Sequence, residues 1–361
     1  MRRRKLISCL IMATWLAASL FNGATPAANA SDKHTTTAPE LEKVRPKFIP
    51  QATSMRPWIL FEVETENYID LFLYTPERNT EVLTDRISAR YPSPSADGRF
   101  VFFQSREKDP FKNTDALDPA FDKNKRDPVF LFQIYKLDMK TKQTERISDG
   151  SAIDSFPVVS PAGDRLALCS RGVEDRARWQ IITMDFNGKQ REPVNSADSN
   201  GQLYPSWSPD GKKIAYVSVE WVHDKEKNQP VPSTRLTVRD LEKKTTTAIP
   251  TKGVILSSLS WSPTGDQIAF DVVDPKTEKY SIWKINVDGT NMEQLTEGAY
   301  DREPSWFPDG TKLIFSRASD ENSPRSIYVM ELATKKVIKL LSAENATLQY
   351  PKVYNPESII N

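Results

Sequence analysis

The chain is poor in the residues that most metal and redox sites require. It contains two histidines, His34 and His223, and two cysteines, Cys9 and Cys169, among 361 residues. Zinc sites use about four histidine or cysteine ligands at close spacing, and a disulfide scaffold needs several cysteine pairs. The composition therefore excludes a multi-histidine metal site and a disulfide framework, and we expect no bound metal or other cofactor.

An excess of charge of one sign is also missing. The chain has 49 lysine and arginine residues against 48 aspartate and glutamate residues, a formal net charge of +1. Proteins that bind nucleic acid usually carry a strong basic excess or a basic patch. We therefore expect no nucleic-acid partner.

The N-terminal apolar run is too short for an ordinary membrane span. Basic residues 2–5 precede the apolar stretch 6–21, and Ala28-Asn29-Ala30 follows it. This pattern predicts a signal peptide over residues 1–30, cleaved after Ala30. We expect a periplasmic or otherwise exported chain with no transmembrane span, and the arginines leave the Sec and twin-arginine routes both open. Removing residues 1–30 leaves 45 basic and 48 acidic residues, a net charge of −3.

One sequence pattern recurs along the rest of the chain. Its clearest copy is residues 204–218, YPSWSPDGKKIAYVS, and related copies occupy residues 91–98, 156–163, 260–265, 303–310 and, truncated, 350–356. The anchor glycines are Gly98, Gly163, Gly211, Gly265 and Gly310, spaced by 65, 48, 54 and 45 residues. Such a period indicates an array of similar supersecondary units.

Each copy predicts a tight turn followed by short strands. Pro-Asp-Gly favours the turn because proline fixes φ and glycine tolerates positive φ. After the turn, Ile214 and Tyr216 alternate with neighbours at period two, as in a β-strand, and a third and a short fourth strand follow. Four short antiparallel strands in about 45 residues are typical of a β-propeller blade.

The strand count closes if the two ends of the chain share one blade. Residues 350–354 supply only a first strand, whereas residues 57–63, 68–74 and 81–83 supply three strands without a first one. We therefore predict an all-β fold, a six-bladed β-propeller with four antiparallel strands per blade, over residues 57–361. Residues 31–56 form a flexible leader in this interpretation, and residues 106–127 are an insertion in the first full blade.

The repeat resembles that of the TolB-like six-bladed β-propeller family, and it covers residues 57–356. The same repeat occurs in the propeller domains of prolyl oligopeptidase and dipeptidyl peptidase relatives and in oligogalacturonate lyases. The resemblance implies the fold more strongly than the function. TolB-type proteins carry an N-terminal domain for which residues 31–56 are too short, the peptidases append a hydrolase domain, and the lyases use a histidine-rich site that two histidines cannot build.

The start of each first strand is the candidate ligand site, because propeller geometry places it at the mouth of the central channel. The repeat leaves several of these positions free to vary. The candidate channel-mouth residues are Arg90, Tyr91, Asp154, Gln202, Tyr204, Asp301, Arg302, Glu303, Gln349 and Tyr350. Their mixed charges suit the polar groups of a peptide, a saccharide or a cation, or they pair with one another around trapped water.

Three functions remain open on the sequence. The first is a non-catalytic, monomeric binding platform for a protein or cell-envelope ligand at the channel mouth. The second is a propeller lyase or hydrolase acting on an envelope polysaccharide or peptide, with Asp154 and Asp301 as acid and base. The third is an interaction module that works through its outer faces, with the insertion 106–127 as a binding loop.

Other residues with chemical potential have structural interpretations. Cys169 lies in a predicted second strand, where a packing role is favoured. Trp207, Trp261 and Trp306 share one repeat position and are expected to pack between neighbouring sheets. His34 and His223 are expected in solvated segments without a nucleophile motif.

Overall fold

The computed structural model describes residues 47–50, 57–66, 68–77, 79–106, 132–172, 178–195, 201–224, 228–251, 255–274, 277–297 and 300–354. The predicted signal peptide lies outside these residues, as do most of the leader 31–56 and of the insertion 106–127.

The described residues form 25 β-strands and no helix. A short strand, β1 (Phe48–Pro50), precedes six groups of four strands. The first strands of the groups are β5 (Arg90–Pro94), β9 (Ala152–Val159), β13 (Gly201–Trp207), β17 (Ile255–Trp261), β21 (Tyr300–Trp306) and β25 (Thr347–Tyr354). The second strands are β2 (Trp58–Glu64), β6 (Phe100–Arg106), β10 (Arg165–Gly172), β14 (Lys213–Asp224), β18 (Gln267–Val273) and β22 (Lys312–Ala318).

The outer half of each group is shorter on average and more exposed. The third strands are β3 (Ile69–Thr75), β7 (Phe132–Asp138), β11 (Gln180–Asp185), β15 (Gln229–Asp240), β19 (Tyr280–Asn286) and β23 (Ser326–Glu331). The fourth strands are β4 (Asn79–Val82), β8 (Thr144–Arg146), β12 (Glu192–Pro193), β16 (Thr245–Ile249), β20 (Glu293–Gln294) and β24 (Val337–Ala343).

Every group is an antiparallel sheet in which the strands follow one another in order. Four groups form separate four-stranded sheets, and a single parallel bridge between Tyr280 and Tyr300 joins the other two into a larger one. The repeat turn connects the first and second strands: in the third full blade, Gly211 has φ of 70° and its N–H donates to the Ser208 carbonyl oxygen at 2.9 Å. The all-β fold of four-stranded antiparallel sheets is confirmed.

One sheet contains strands from both ends of the chain. β25 pairs antiparallel with β2, with Tyr354 opposite Trp58 and Thr347 opposite Glu64, and β3 and β4 complete the sheet. The rings of Trp58 and Tyr354 stack with centroids 6.2 Å apart. We call this sheet the shared blade.

The first strands contact one another in a closed cyclic order. β5 contacts β9, the series continues through β13, β17, β21 and β25, and β25 contacts β5. This order places the six first strands around a common axis, as in a β-propeller. The apolar core lies between neighbouring sheets, for example where Ala215 and Val217 of β14 pack with Ile268 and Phe270 of β18.

The three repeat tryptophans are buried in these contacts between sheets. The indole N–H of Trp207 donates to the Val158 carbonyl oxygen at 3.1 Å, and that of Trp306 donates to the Ser260 carbonyl oxygen at 3.0 Å. Both acceptors lie on the preceding blade. Trp261 donates instead within its own turn, to the Gly265 carbonyl oxygen.

Two segments differ from the sequence-based expectation. Residues 47–50, part of the predicted leader, form β1 and pair with the outer strand β24, and Phe48 packs on Phe61 and Phe72 of the shared blade. Residues around His223, expected as a loop, extend the β14–β15 hairpin instead, with His223 paired with Pro230 and its side chain exposed. Strand pairing accounts for both differences.

Candidate functional site

Each first strand is bulged near its start, where the pairing register with the second strand shifts. Five of these bulges put a non-glycine residue in the left-handed region directly before a proline. They are Tyr91 (φ 55°), Phe156 (φ 56°), Tyr204 (φ 55°), Glu303 (φ 60°) and Tyr350 (φ 48°). Bulky residues rarely adopt this conformation, and it persists only where the surrounding structure holds it.

Buried polar side chains hold two of the bulges from the preceding blade. The Tyr91 N–H donates to Glu62 Oε2 at 3.2 Å, and the Phe156 N–H donates to Gln104 Oε1 at 3.1 Å. Glu62 and Gln104 occupy equivalent positions in the second strands β2 and β6, and neither has any exposed surface. The carboxyl group and the amide therefore fix the direction in which the bulged residues project.

The equivalent position changes chemically around the ring. In β10 it is Cys169, whose sulfur is hydrogen-bonded by the Tyr204 N–H, and burial raises the pKa of this thiol. In β14 it is Val217, which offers no acceptor. There the Ser258 N–H donates to Asp271 Oδ1 of its own sheet at 2.8 Å. Cys169 thus has a packing and acceptor role.

The bulges bring four aromatic rings together in an arc. The Tyr91 ring meets the Tyr350 ring at 4.4 Å and the Phe156 ring at 4.3 Å, and Phe156 meets Tyr204 at 4.8 Å, all as centroid distances. The arc spans the shared blade and the first three full blades. Phe156 is buried, and the three tyrosines are half-buried. We call these four residues the aromatic arc.

Glu62 is a buried carboxyl group beside one end of the arc. Burial raises its pKa to about 8, although the nearby Arg90 guanidinium lowers it. Arg90 Nη1 lies 3.4 Å from Glu62 Oε1, and Arg90 Nη2 lies 3.7 Å from Glu64. Arg90 therefore belongs to the junction between the shared blade and the first full blade.

Glu303 is a buried carboxylate on the other side of the shared blade. It accepts hydrogen bonds from Ser316 Oγ at 2.6 Å, from the Tyr350 N–H at 3.1 Å and from Arg325 Nη1 at 3.3 Å. Gln349 continues the network, since it accepts from Arg325 at 2.6 Å and donates to Glu64, also at 2.6 Å. A chain of polar contacts thus crosses the shared blade between its two neighbours.

Asp154 and Asp301 are engaged within the sheets and do not reach solvent. Both Asp154 oxygens accept from Arg191 at 2.8 Å, and Ser148 Oγ donates to one of them. Asp301 accepts from Arg317 Nε at 2.5 Å and Nη2 at 2.9 Å. Their relative exposures are 1% and 0%, and each carboxylate is paired with an arginine of its own blade.

Gln202 and Arg302 are also buried in the scaffold. Gln202 accepts from the Ile181 N–H at 2.9 Å and donates to Asn195 at 2.7 Å. The Arg302 guanidinium lies 4.2 Å from the Tyr280 ring centroid, with its Nε 3.6 Å from Asp271. Of the ten candidate residues, Tyr91, Tyr350 and Tyr204 belong to the aromatic arc, and Glu303 accepts the backbone N–H of Tyr350.

The acceptors in the second strands were not predicted from the sequence. The signal was present as a polar residue inside an apolar run, as in Phe61-Glu62-Val63 and Phe270-Asp271-Val272. Alternation alone assigns such a residue to a solvated face. The structure shows instead that it turns toward the bulge of a first strand.

Neither a metal cluster nor a membrane span is found among the residues that the structure describes. No group of three or more histidine, cysteine, aspartate or glutamate side chains there could hold a metal ion. No described helix is long and apolar enough to cross a membrane.

The arrangement of sheets and bulges defines a β-propeller, and comparison with known proteins identifies its family. The TolB beta propeller domain matches residues 168–360, more than half of the chain. The chain belongs to the TolB β-propeller family.

Individual relatives are similar over part of their length. The Tol-Pal system protein TolB of Francisella tularensis is 24% identical, with 48% of this chain and 49% of that protein covered. Dipeptidyl-peptidase 5 of Porphyromonas gingivalis is 27% identical, with 42% and 22% covered. This chain thus spans half or less of these relatives. The crystal structure of TolB from Acinetobacter baumannii superposes with a TM-score of 0.62 at 16% identity, covering 82% of this chain and 66% of that one.

Proposed function

We propose that this chain is a non-catalytic, exported β-propeller that serves as a binding platform for a protein or cell-envelope ligand. The ligand would contact the channel mouth at the aromatic arc. The observation that carries the proposal is the continuous contact of Tyr350, Tyr91, Phe156 and Tyr204. Tyrosine is enriched among the residues that dominate binding energy, because it combines a large apolar face with a polar end.

The conformation of the arc supports a binding role. Four bulky residues of the arc adopt a positive φ, which is unfavourable in conformational energy. Their backbone N–H groups are held by hydrogen bonds to four acceptors, Glu62, Gln104, Cys169 and Glu303. Such strained positions cluster at ligand sites, where the surrounding structure fixes them. A preorganised surface loses little conformational entropy on binding, and more of the contact energy therefore appears as affinity.

Export is supported by the N-terminal pattern and by one relative. Residues 1–30 have the basic, apolar and small-residue regions of a signal peptide. The similar Francisella protein is named for the Tol-Pal system. We propose by analogy that this chain also meets a cell-envelope component, as a monomer.

The enzyme alternative depends on Asp154 and Asp301 as acid and base. A general acid or base must reach the substrate proton. Asp154 and Asp301 are buried, and each is held by both oxygens to an arginine. We therefore prefer the binding platform to a lyase or hydrolase as the proposed function.

The proposal is tested by affinity capture from an envelope extract with the chain from Ser31 onward. We expect the double variant Tyr91→Ser/Tyr350→Ser to lose the captured ligand. A matched control is Tyr135→Ser/Tyr328→Ser, because these half-buried tyrosines lie in third strands, where they stack on Phe103 and Phe315 of the adjacent second strands. The control should capture the ligand normally.

Two outcomes would overturn the channel-mouth proposal. One is equal capture by the channel variant and the control. The other is loss of capture only on deletion of residues 107–127, which would assign binding to that insertion. Thermal unfolding of each variant checks that loss of capture is not loss of fold.

A further inference from the structure

Lys352 is an unusual residue for its place in the first strand of the shared blade. It lies two residues past the bulge at Tyr350 and pairs in register with Leu60. Its side chain is half-buried. The equivalent residues of four other blades are the serines Ser93, Ser206, Ser260 and Ser305.

The repeat serine accepts a hydrogen bond from the next blade, and no such donor exists at the equivalent position between the shared blade and the first full blade. Ser93 Oγ accepts a hydrogen bond from the Val159 N–H at 3.0 Å, and Ser206 Oγ accepts from the Trp261 N–H at 3.0 Å. In both cases the donor lies on the next blade. After the shared blade, the equivalent residue is Pro94, which has no N–H to donate. The fold therefore gives no reason for a polar residue at position 352.

Among the described residues, no hydrogen bond or ion pair holds the Lys352 ammonium group. The carboxylate of Glu303 acts on it electrostatically, but that group already accepts from Ser316, Arg325 and Tyr350. Glu62, Asp271, Asp301 and Asp154 are likewise each matched by an arginine. Lys352 is thus a cation without a counter-ion of its own.

We propose that Lys352 pairs with an anionic group, a carboxylate or a phosphate, at the end of the ligand that enters the channel. The inference rests on the proposed function, since it names the chemistry of that ligand. A half-buried cation is unfavourable without a partner, and an anion delivered by the ligand supplies one. The aromatic arc, which includes Tyr350, would contact the less polar part of the same ligand.

The protonation of Lys352 provides a direct readout of this contact. Burial lowers its pKa to about 8, and only the charge of Glu303 opposes this change. A bound anion favours the protonated form, so the pKa must rise on binding. The protein therefore takes up protons when it binds an anion near pH 8.

Competitive acetylation at trace levels of acetic anhydride, read by mass spectrometry, measures this pKa in the full chain. The probes are inorganic phosphate and N-acetyl-diglycine, which carries a free carboxylate, with N-acetyl-diglycine amide as the uncharged control. We expect Lys352 to be labelled with a midpoint near 8 without a probe. A charged probe should shift that midpoint upward, while the amide and the exposed Lys212 show no shift.

Two substitutions separate a binding role from a structural one. Lys352→Arg keeps the positive charge and should retain binding of the charged probe by calorimetry, without proton uptake near pH 8. Lys352→Met should bind that probe about tenfold more weakly or worse. Its thermal unfolding should be unchanged or shifted upward, because an unmatched charge has been removed.

A midpoint for Lys352 that ignores both charged probes would overturn the inference, as would full binding by Lys352→Met. Either result would leave the platform proposal intact if the Tyr91/Tyr350 variant still loses the envelope ligand. A response to phosphate alone would assign the anion as a phosphate, and a response to N-acetyl-diglycine alone would assign it as a peptide carboxylate.

Discussion

The rings of Tyr91 and Tyr350 meet edge to face at 4.4 Å, although they come from opposite ends of the propeller chain. Each is fixed through its backbone N–H by a different buried carboxyl group, Glu62 for Tyr91 and Glu303 for Tyr350. The contact forms only when β25 joins β2 in the shared blade. The candidate binding surface and the closure of the ring therefore depend on the same strand.

Loss of β25 is expected to destabilise the whole molecule. A chain that ends at Ala346 lacks the strand that pairs with β2, and its apolar residues Leu348 and Tyr354 leave the core. The exposed edge of β2 and the bare faces of both neighbouring blades would favour unfolding or aggregation. Thermal unfolding measures the effect. A chain that ends at Tyr354 keeps every β25 pairing and serves as the control; equal stability of the two would contradict the shared blade.

Glu62 predicts a fall in stability between about pH 4.5 and pH 8. Its folded pKa of about 8 exceeds the ordinary value of 4.5, so the folded state holds a proton that the unfolded state has released. The stabilisation is complete below pH 4.5 and is lost as the pH rises toward 8, with a slope of at most about 1.4 kcal/mol per pH unit. Denaturant titrations at several pH values measure it.

Glu62→Gln should remove this pH dependence, because an amide stays neutral throughout. Glu145→Gln, at an exposed site, should leave the dependence as it is. A wild-type stability that is flat between pH 5 and 8, or a Glu62→Gln curve with the wild-type slope, would show that another group is responsible.

Asp301→Asn tests whether this carboxylate is structural or catalytic. The substitution weakens a buried pair with Arg317 and should cost about 3 kcal/mol in the free energy of unfolding. Asp309→Asn, in an exposed turn, should cost much less. If Asp301→Asn were as stable as the wild type but lost a measured hydrolase or lyase activity, the enzyme alternative would return.

Cys169 is expected to be unreactive in the native protein. Its thiol is buried and its pKa is raised by burial, so the reactive thiolate is scarce at neutral pH. In the chain from Ser31 onward it is the one cysteine. Disulfide-exchange reagents should modify it only after denaturation; fast modification of the folded chain would place the thiol at the surface.

The turns and strands of the fold could be predicted from sequence because short, repeated motifs determine them. Pro-Asp-Gly sets the turn, alternation sets the strands, and a count of incomplete units predicts pairing between the two ends. The hairpin around His223 and the short strand at Phe48 were not predictable in this way. Both depend on pairing partners that lie far away or on the lengthening of a strand beyond its repeat.

The candidate site was predicted only in part, because side-chain direction at a bulge cannot be deduced from alternation. In the repeat, Asp154 and Arg302 lie close to the positions of Tyr91 and Tyr350 at the start of a first strand. Their side chains nevertheless pair with Arg191 and Asp271 inside the scaffold. The side chains of the tyrosines are directed by a left-handed backbone φ, and a Tyr-Pro sequence does not by itself predict that conformation. Lys352 was not predicted as a site residue, because its difference from the repeat is evident only when the hydrogen bonds between neighbouring blades are compared.

The pairing of Trp58 with Tyr354 has a practical consequence for how the polypeptide can be cut and rejoined. These partners lie opposite each other at adjacent strand ends, so a linker of a few residues spans the gap between them. Circular permutation would then open new termini elsewhere, for example in the turn between Ser148 and Ser151. Each blade of such a permutant would be continuous in sequence, because the linker would join β25 covalently to β2.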